Sequence, residues 1–139
     1  FRLSKPYVKN SERKSNQWIT GECDIYDADT RTIRDIKTSW SIATYPLFAD
    51  NANDYEWQMR GYMMLWDCDT AIVDYCLVDT PEHLIGYEQR ELHIVSHIDP
   101  EKRVKSFVFE RDEQKEQRIK ERCEQLQEYF ELLKQRLKV

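Results

Sequence analysis

Residues 21–37, GECDIYDADTRTIRDIK, contain the pattern from which the fold can be predicted. The segments on both sides of the turn at 27–30 are rich in β-branched and aromatic residues, which is typical of two strands of a hairpin. Alternate side chains of a strand share a face, so Asp35 and Lys37 are expected to point the same way. Asp24 lies on the strand expected to pair with them. Two carboxylates and one ammonium would then converge on one side of a sheet.

The segments around this hairpin predict an α+β domain, with a mixed α/β arrangement of its elements. A strand at 5–9 and a turn at 11–16 are expected before it, so that the strands at 5–9, 17–26 and 31–38 form an antiparallel meander. Pro46 and the polar cluster at 50–53 mark a loop. A buried strand is expected at 70–78 and a further strand at 103–109. Residues 82–100 are ambiguous, with a short helix near 82–92.

A helix is expected over 55–66, because its apolar residues recur at helical spacing. Tyr55, Met59, Tyr62 and Trp66 are separated by four, three and four positions, and Asn53 or Asp54 can cap the helix.

The last segment predicts a long helix over about residues 112–137. Its apolar positions form a heptad-like seam. The seam residues are Ile119, Cys123, Leu126, Phe130, Leu133 and Leu137. Two interpretations remain open, namely a helix that lies on its own core and a partner helix in an oligomer. We therefore divide the chain into a core at 1–109 and a C-terminal helix at 110–139.

Composition excludes several classes of protein. The 139 residues are 40% hydrophobic and include 3 Gly and 4 Pro, which fits a packed domain rather than a collagen-like or linker-like chain. No run of 18 apolar residues exists, so no membrane span is expected. The four cysteines lie far apart without a C-x-x-C pair, which argues against a zinc site or an iron–sulfur cluster. Free thiols in a reducing cytoplasm are the preferred interpretation.

The formal net charge of -5 is unevenly distributed along the chain. Residues 1–20 carry five basic and one acidic side chain, whereas residues 21–109 carry eight basic and seventeen acidic ones. The acidic excess therefore lies in the block that holds Asp24 and Asp35. A solvated surface explains most of that excess, and a cation site would use part of it.

Three short motifs occur in a fixed order. Gly21 and Asp24 form G-x-x-D, residues 35–37 form D-I-K, and Gln58 and Tyr62 form Q-x-x-x-Y on one helical face. Each motif alone is weak, and a strand-face ion pair or a core tyrosine would explain it. Together, over about residues 18–80, they resemble the PD-(D/E)XK nuclease superfamily. Within it they are most similar to the RecB-type and phage recombination exonucleases, which include lambda-exonuclease-like and YqaJ-like proteins.

The resemblance implies a restriction-endonuclease-like core with a central mixed sheet flanked by helices. It also implies that Asp24, Asp35 and the backbone carbonyl of Ile36 bind Mg²⁺, for which Mn²⁺ could substitute. Lys37 would be the catalytic lysine. Gln58 and Tyr62 would belong to the catalytic, DNA-contacting face.

Side chains outside the motifs are candidates for DNA contact. Trp40 follows the D-I-K strand and could stack on an unpaired base, and Arg60 could touch phosphate. The other candidates are basic residues near the two ends of the core, which could contact phosphates. They are Lys9, Arg13, Lys14, Lys102, Arg103 and Lys105.

The sequence departs from the family pattern at its start. Relatives carry a helix before the first strand, with a Glu, Gln or His that completes the metal site. That helix is missing here, and because the first residue is Phe1 rather than Met, we expect it upstream in the native protein. Glu12 is a poor substitute, whereas Glu22 could approach the metal. The cysteine cluster that holds an iron–sulfur centre in some relatives is not matched.

These observations predict a metal-dependent DNA nuclease, and the resemblance favours an exonuclease of phage or prophage recombination or of DNA repair. It would act on linear duplex ends in the cytoplasm of a bacterial or phage-infected cell. A homo-oligomer and a single-strand annealing partner protein are further expectations. The alternatives are a non-catalytic fragment that binds DNA or a partner, and a restriction-like endonuclease.

Overall fold

The computed structural model describes residues 6–138. A four-stranded mixed sheet forms its centre, in the order β3-β4-β5-β6. The strands are β3 (Ile25–Asp27), β4 (Thr32–Ser39), β5 (Thr70–Leu77) and β6 (Val104–Glu110). Strand β4 pairs antiparallel with β3 and parallel with β5, and β5 pairs antiparallel with β6. A separate two-stranded hairpin contains β1 (Lys14–Ser15) and β2 (Thr20–Gly21). The predicted α+β class with a mixed sheet is confirmed.

Helix α1 (Asn53–Trp66) connects the parallel strands β4 and β5 and covers one face of the sheet. It begins after Ala52, and Asp54 and Glu56 lie in its first turn, where carboxylates favour the positive end of the helix. Asp67 ends it in the left-handed conformation at φ 51°. The buried core lies between this helix and the sheet. It consists of Cys23, Ile33, Met59, Met63, Trp66, Cys68, Ala71 and Val73.

The opposite face of the sheet is more open. In the described part of the chain, the expected flanking helices cover one face of the sheet. Ile36, Val104 and Val108 remain exposed on that face. A buried ion pair joins Arg34 and Asp74 across the middle of it, with an N–O distance of 2.5 Å.

Helix α3 (Glu113–Leu137) is the long C-terminal helix that the seam predicted. Asp112 caps its start by accepting a hydrogen bond from the backbone amide of Lys115. Its first turns pack on α1, where Glu56 contacts Lys115 and lies 2.6 Å from Arg60. Its second half is different, because Leu126, Phe130 and Leu137 are more than half exposed. The helix therefore lies on its own core only near its beginning.

Helix α2 (Glu82–Ile85) is a single turn, and two 3-10 turns follow at Arg90–Leu92 and Pro100–Arg103. The ambiguous stretch 82–100 thus contains helical turns without a long helix. None of the described helices combines the length and apolar character that crossing a membrane would require.

The strand predictions before residue 25 were partly wrong. Residues 6–9 form no strand, and Lys5 lies outside the described residues. The predicted turn at 11–16 contains β1, and the turn of this hairpin lies at 16–19. The strand expected at 17–26 is divided into β2 and β3 by residues 22–24. The physical reason is that Cys23 turns into the core while Asp24 turns toward β4, which interrupts the ladder.

Candidate active site

Asp35 and Lys37 lie side by side in the middle of β4, on the face that α1 covers. Asp35 is 4% exposed, and its Oδ2 is 2.5 Å from Nζ of Lys37. The ammonium also lies over the Tyr55 ring, 4.6 Å from its centroid. Burial raises the pKa of the Asp35 carboxyl above its ordinary value, and the adjacent Lys37 ammonium opposes this shift. The pair is therefore a carboxylate held in a poorly solvated position by one cation.

Asp24 reaches the same strand from the break between β2 and β3. Its Oδ2 accepts a hydrogen bond of 2.7 Å from the backbone amide of Ile36, the residue between Asp35 and Lys37. Its charge also contributes to raising the pKa of the Asp35 carboxyl, which indicates that the two carboxylates are close. The structure thus brings Asp24, Asp35 and Lys37 together, although Asp24 lies in a bend and not on the predicted strand.

Gln58 and Tyr62 lie one turn apart on α1 and are joined by a hydrogen bond of 2.9 Å from Nε2 to Oη. The Tyr62 ring packs against Gly21, where a Cβ atom would lie 2.7 Å from Cε1 of the ring. This close approach is a physical reason for glycine at the start of G-x-x-D. Both side chains line a cavity of about 350 Å³ together with Glu22. Asp24, Asp35 and Lys37 do not line that cavity, so the two halves of the predicted site are neighbours rather than one pocket.

The residues around Asp35 suit a hard divalent cation. Oδ2 of Asp35 is buried and accepts no hydrogen bond of good geometry within the described part of the chain, in spite of its ion-pair contact with Lys37. Such an oxygen has coordination capacity to spare. Among residues 6–138, no three His, Cys, Asp or Glu side chains cluster as metal ligands. Mg²⁺ needs only one or two carboxylates when water and substrate phosphate complete its shell. The donor set therefore fits Mg²⁺.

A crystal structure of a phage-related exonuclease from Haemophilus somnus 129PT superposes on the chain with a TM-score of 0.90. The two sequences are 38% identical over 97% of this chain. The chain has a phage-exonuclease-like nuclease fold. It spans 65% of the length of that protein. The fold implied by the three motifs is thereby confirmed.

Other comparisons add little. A second solved structure, SSO0001, covers 88% of this chain and 50% of its own, with 17% identity and a TM-score of 0.45. No protein-family model matches the sequence, and no curated protein does.

Arg60 is not a DNA contact in this phage-exonuclease-like fold. The residue is 6% exposed, and its guanidinium donates to Glu56 and to the carbonyl of Glu110. The prediction that it touches phosphate is wrong, because the charge is used to join α1, β6 and α3. Lys105 is similarly engaged, since its Nζ donates to the carbonyls of Leu47 and Ala49 at 2.7 and 2.5 Å.

The remaining predicted DNA contacts lie on several sides of the domain. Lys9 and Lys102 are exposed. Arg13 lies 3.7 Å from Glu22 at the cavity of Gln58 and Tyr62. Lys14 lies over the Trp66 ring, 5.4 Å from its centroid. Arg103 is half-buried at the end of its 3-10 turn, with Nε buried and unpaired within the described residues. These contacts stay predictions.

Trp40 is 42% exposed and lies directly after β4. Its carbonyl accepts from Oγ1 of Thr80 at 2.9 Å and lies 3.1 Å from Nδ1 of His93. Its ring meets the fully buried His93 ring edge to face, at 5.2 Å. The other nitrogen of His93 lies 2.9 Å from Glu88. The loop that presents Trp40 is therefore fastened to the segment at 80–93.

The contacts that Tyr55 and His93 make near the site were not predicted from the sequence. Tyr55 was recognised as an apolar helix position, but its place over Lys37 depends on how α1 crosses β4. The place of His93 against Trp40 depends on how the segment at 80–93 folds back on the end of β4. A short sequence window contains no pattern for either contact, because the partners are 18 and 53 residues away.

Proposed function

We propose that this protein is a Mg²⁺-dependent deoxyribonuclease that works as an exonuclease on linear duplex DNA. The observation that carries the proposal is the convergence of Asp24, Asp35 and Lys37 on β4, in a fold shared with a protein named as a phage-related exonuclease. The PD-(D/E)XK assignment of these three residues belongs to the same proposal. So do a cytoplasmic location and the recombination or repair role, with an annealing partner protein.

In this proposal Asp24, Asp35 and the carbonyl of Ile36 would hold Mg²⁺, and the bound ion would supply Lewis-acid stabilisation of the phosphoryl charge. Lys37 lies beside Asp35 and directs its ammonium toward charge that develops during phosphodiester hydrolysis. Water supplies the oxygen that bonds to phosphorus, and the departing sugar oxygen leaves with a proton. The buried position of Asp35 strengthens each of these electrostatic interactions, because little solvent screens them.

The test is hydrolysis of linear duplex DNA with Mg²⁺. We expect the wild-type protein to degrade it, Lys37→Ala to lose roughly 10²–10³-fold in rate, and Asp35→Ala to be inactive. Asp50→Ala removes an exposed carboxylate outside the site and should retain full activity. Equal rates in the wild type and both site variants would show that the assignment is wrong.

A second measurement does not depend on activity. Mg²⁺ should raise the melting temperature of the wild-type protein, because a ligand that binds only the folded state stabilises it. Asp35→Ala should show no such rise. A closed circular duplex separates the exonuclease from a restriction-like endonuclease, since only the endonuclease cuts it.

A further inference from the structure

We propose that the groove between α1 and α3 binds a single-stranded segment of nucleic acid. The groove has a volume of about 430 Å³. One wall is Trp57 of α1, and the other is the first half of α3. The residues of that second wall are Arg118, Ile119, Arg122 and Cys123.

Trp57 offers an aromatic surface for stacking. Trp57 is 44% exposed, although the same helix buries Met59 and Met63 on its other side. The Arg118 guanidinium lies over its ring at 5.3 Å. Bases stack on aromatic rings and on guanidinium planes without sequence preference, which is how many proteins bind single strands. The apolar side of the groove, at Ile119, would exclude water from one face of such a base.

The two arginines carry charge that no carboxylate compensates. In the described part of the chain, neither Arg118 nor Arg122 forms an ion pair within 4.0 Å, and Arg122 donates only to Gln125 at 2.9 Å. The glutamates of the same turns do not line the groove and accept hydrogen bonds from neutral donors outside it. Glu121 accepts from Gln117 and Glu124 accepts from Trp18. The groove is thus locally basic on a chain of net charge -5, and this favours a phosphate-bearing occupant over a protein segment.

The groove continues from the candidate active site. Trp57 also lines the 350 Å³ cavity that contains Gln58 and Tyr62, so one indole separates the two spaces. A strand that crosses this ridge would find Arg13 on one side and Arg118 on the other. The position of the groove beside a nuclease site rests on the proposed function, whereas the chemistry of the groove itself does not.

The test is fluorescence anisotropy with a labelled oligothymidine of about 12 nucleotides, in EDTA so that nothing is hydrolysed. We expect Trp57→Ala to weaken binding about ten-fold and Trp57→Phe to restore most of it. Tyr129→Ala removes another exposed aromatic from the far part of α3 and should bind as the wild type does. Equal affinity of Trp57→Ala and the wild type would overturn the proposal.

The charge of the two arginines allows an independent test. The double variant Arg118→Gln, Arg122→Gln should lower the slope of log affinity against log salt by about 1.4, because each contacted phosphate of a single strand contributes about 0.7. The matched double variant Lys134→Gln, Arg136→Gln, at the end of the same helix, should leave the slope unchanged. An unchanged slope in the first variant, or equal losses in both, would overturn the proposal. Circular dichroism establishes that each variant is folded.

Hydrolysis of duplex DNA separates the two proposals. If the wild type hydrolyses DNA while the groove variants bind the oligonucleotide normally, the groove proposal is wrong and the nuclease proposal stands. If the wild type hydrolyses nothing while the groove variants lose binding, the groove is a nucleic-acid site on a protein that is not a nuclease.

Discussion

Asp35 illustrates how a residue proposed for an active site can oppose the stability of the fold. It is buried on the core side of β4 and is paired there with the Lys37 ammonium. An ionised carboxylate in such a place is stabilised only in part, because burial removes water from it. An apolar residue at this position would suit the core better. The chemistry proposed for the site gives a reason for aspartate at this position.

The pH dependence of stability follows from this burial. Because the folded-state pKa of Asp35 is raised, its contribution to stability is present below the unfolded pKa and is lost as the pH rises through the folded pKa. Asp35→Asn should therefore melt at a higher temperature than the wild type at pH 8, and the difference should shrink toward pH 4. Calorimetry across this range measures it, with the exposed Asp50→Asn as the control. A less stable Asp35→Asn at pH 8 would mean that the ion pair with Lys37 outweighs the cost of burial.

Among the elements, the two long helices differ in how much they bury. Helix α1 packs Met59, Met63 and Trp66 into the core. Helix α3 is attached near its start by Glu56, whose pKa Lys115 and Arg60 lower through hydrogen bonds, so this attachment weakens as the pH falls. Beyond residue 125 its seam is exposed except at the half-buried Leu133. The open choice between a core helix and a partner helix is thus resolved only for the first half.

The stability of the domain should follow this difference. Met59→Ala should lower the free energy of unfolding by about 2–5 kcal/mol, because it removes a fully buried side chain. Leu126→Ala should change it by no more than about 0.5 kcal/mol, since Leu126 is 66% exposed. Urea denaturation of the 139-residue chain measures both. A large loss for Leu126→Ala would show that the distal seam is covered in solution.

At the scale of the whole molecule, the net charge and the positions of the charged side chains lead to different conclusions about binding of a polyanion. The net charge is acidic, yet part of the acidity is used inside the fold. Asp74 pairs with Arg34, and Glu116 pairs with Arg111. Asp35 and Asp24 belong to the candidate metal site. The exposed cations that remain define where a polyanion could approach, and the composition alone could not locate them.

Two lysines that looked equivalent in the sequence should therefore behave differently. Lys9→Gln should reduce the salt dependence of duplex binding by about 0.9 in the log–log slope, as expected for one lost phosphate contact. Lys105→Gln should leave the slope unchanged and lower the melting temperature, since its ammonium is already bound to two carbonyls. Binding titrations at several salt concentrations, in EDTA, compare the two. The reverse pattern would contradict this division.

The sequence by itself determined the class of the fold, the hairpin on both sides of the turn at 27–30 and both long helices. These features depend on local periodicity and on turn residues, which a short window contains. It also placed Asp35 and Lys37 on one face, because side chains two positions apart in a strand point to the same side of the sheet.

Only the tertiary structure decided which charged side chains are accessible to DNA and which bind partners within the fold. Arg60 and Lys105 were predicted to meet DNA. Lys105 instead donates to carbonyls more than 50 residues away, and Arg60 binds Glu56 within α1 and a carbonyl 50 residues away. The break at 22–24, Tyr55 over Lys37 and the groove beside Trp57 likewise depend on how α1 crosses the sheet and meets α3. The physical reason is that burial and ion pairing are set by contacts between distant segments, and these are absent from any local pattern.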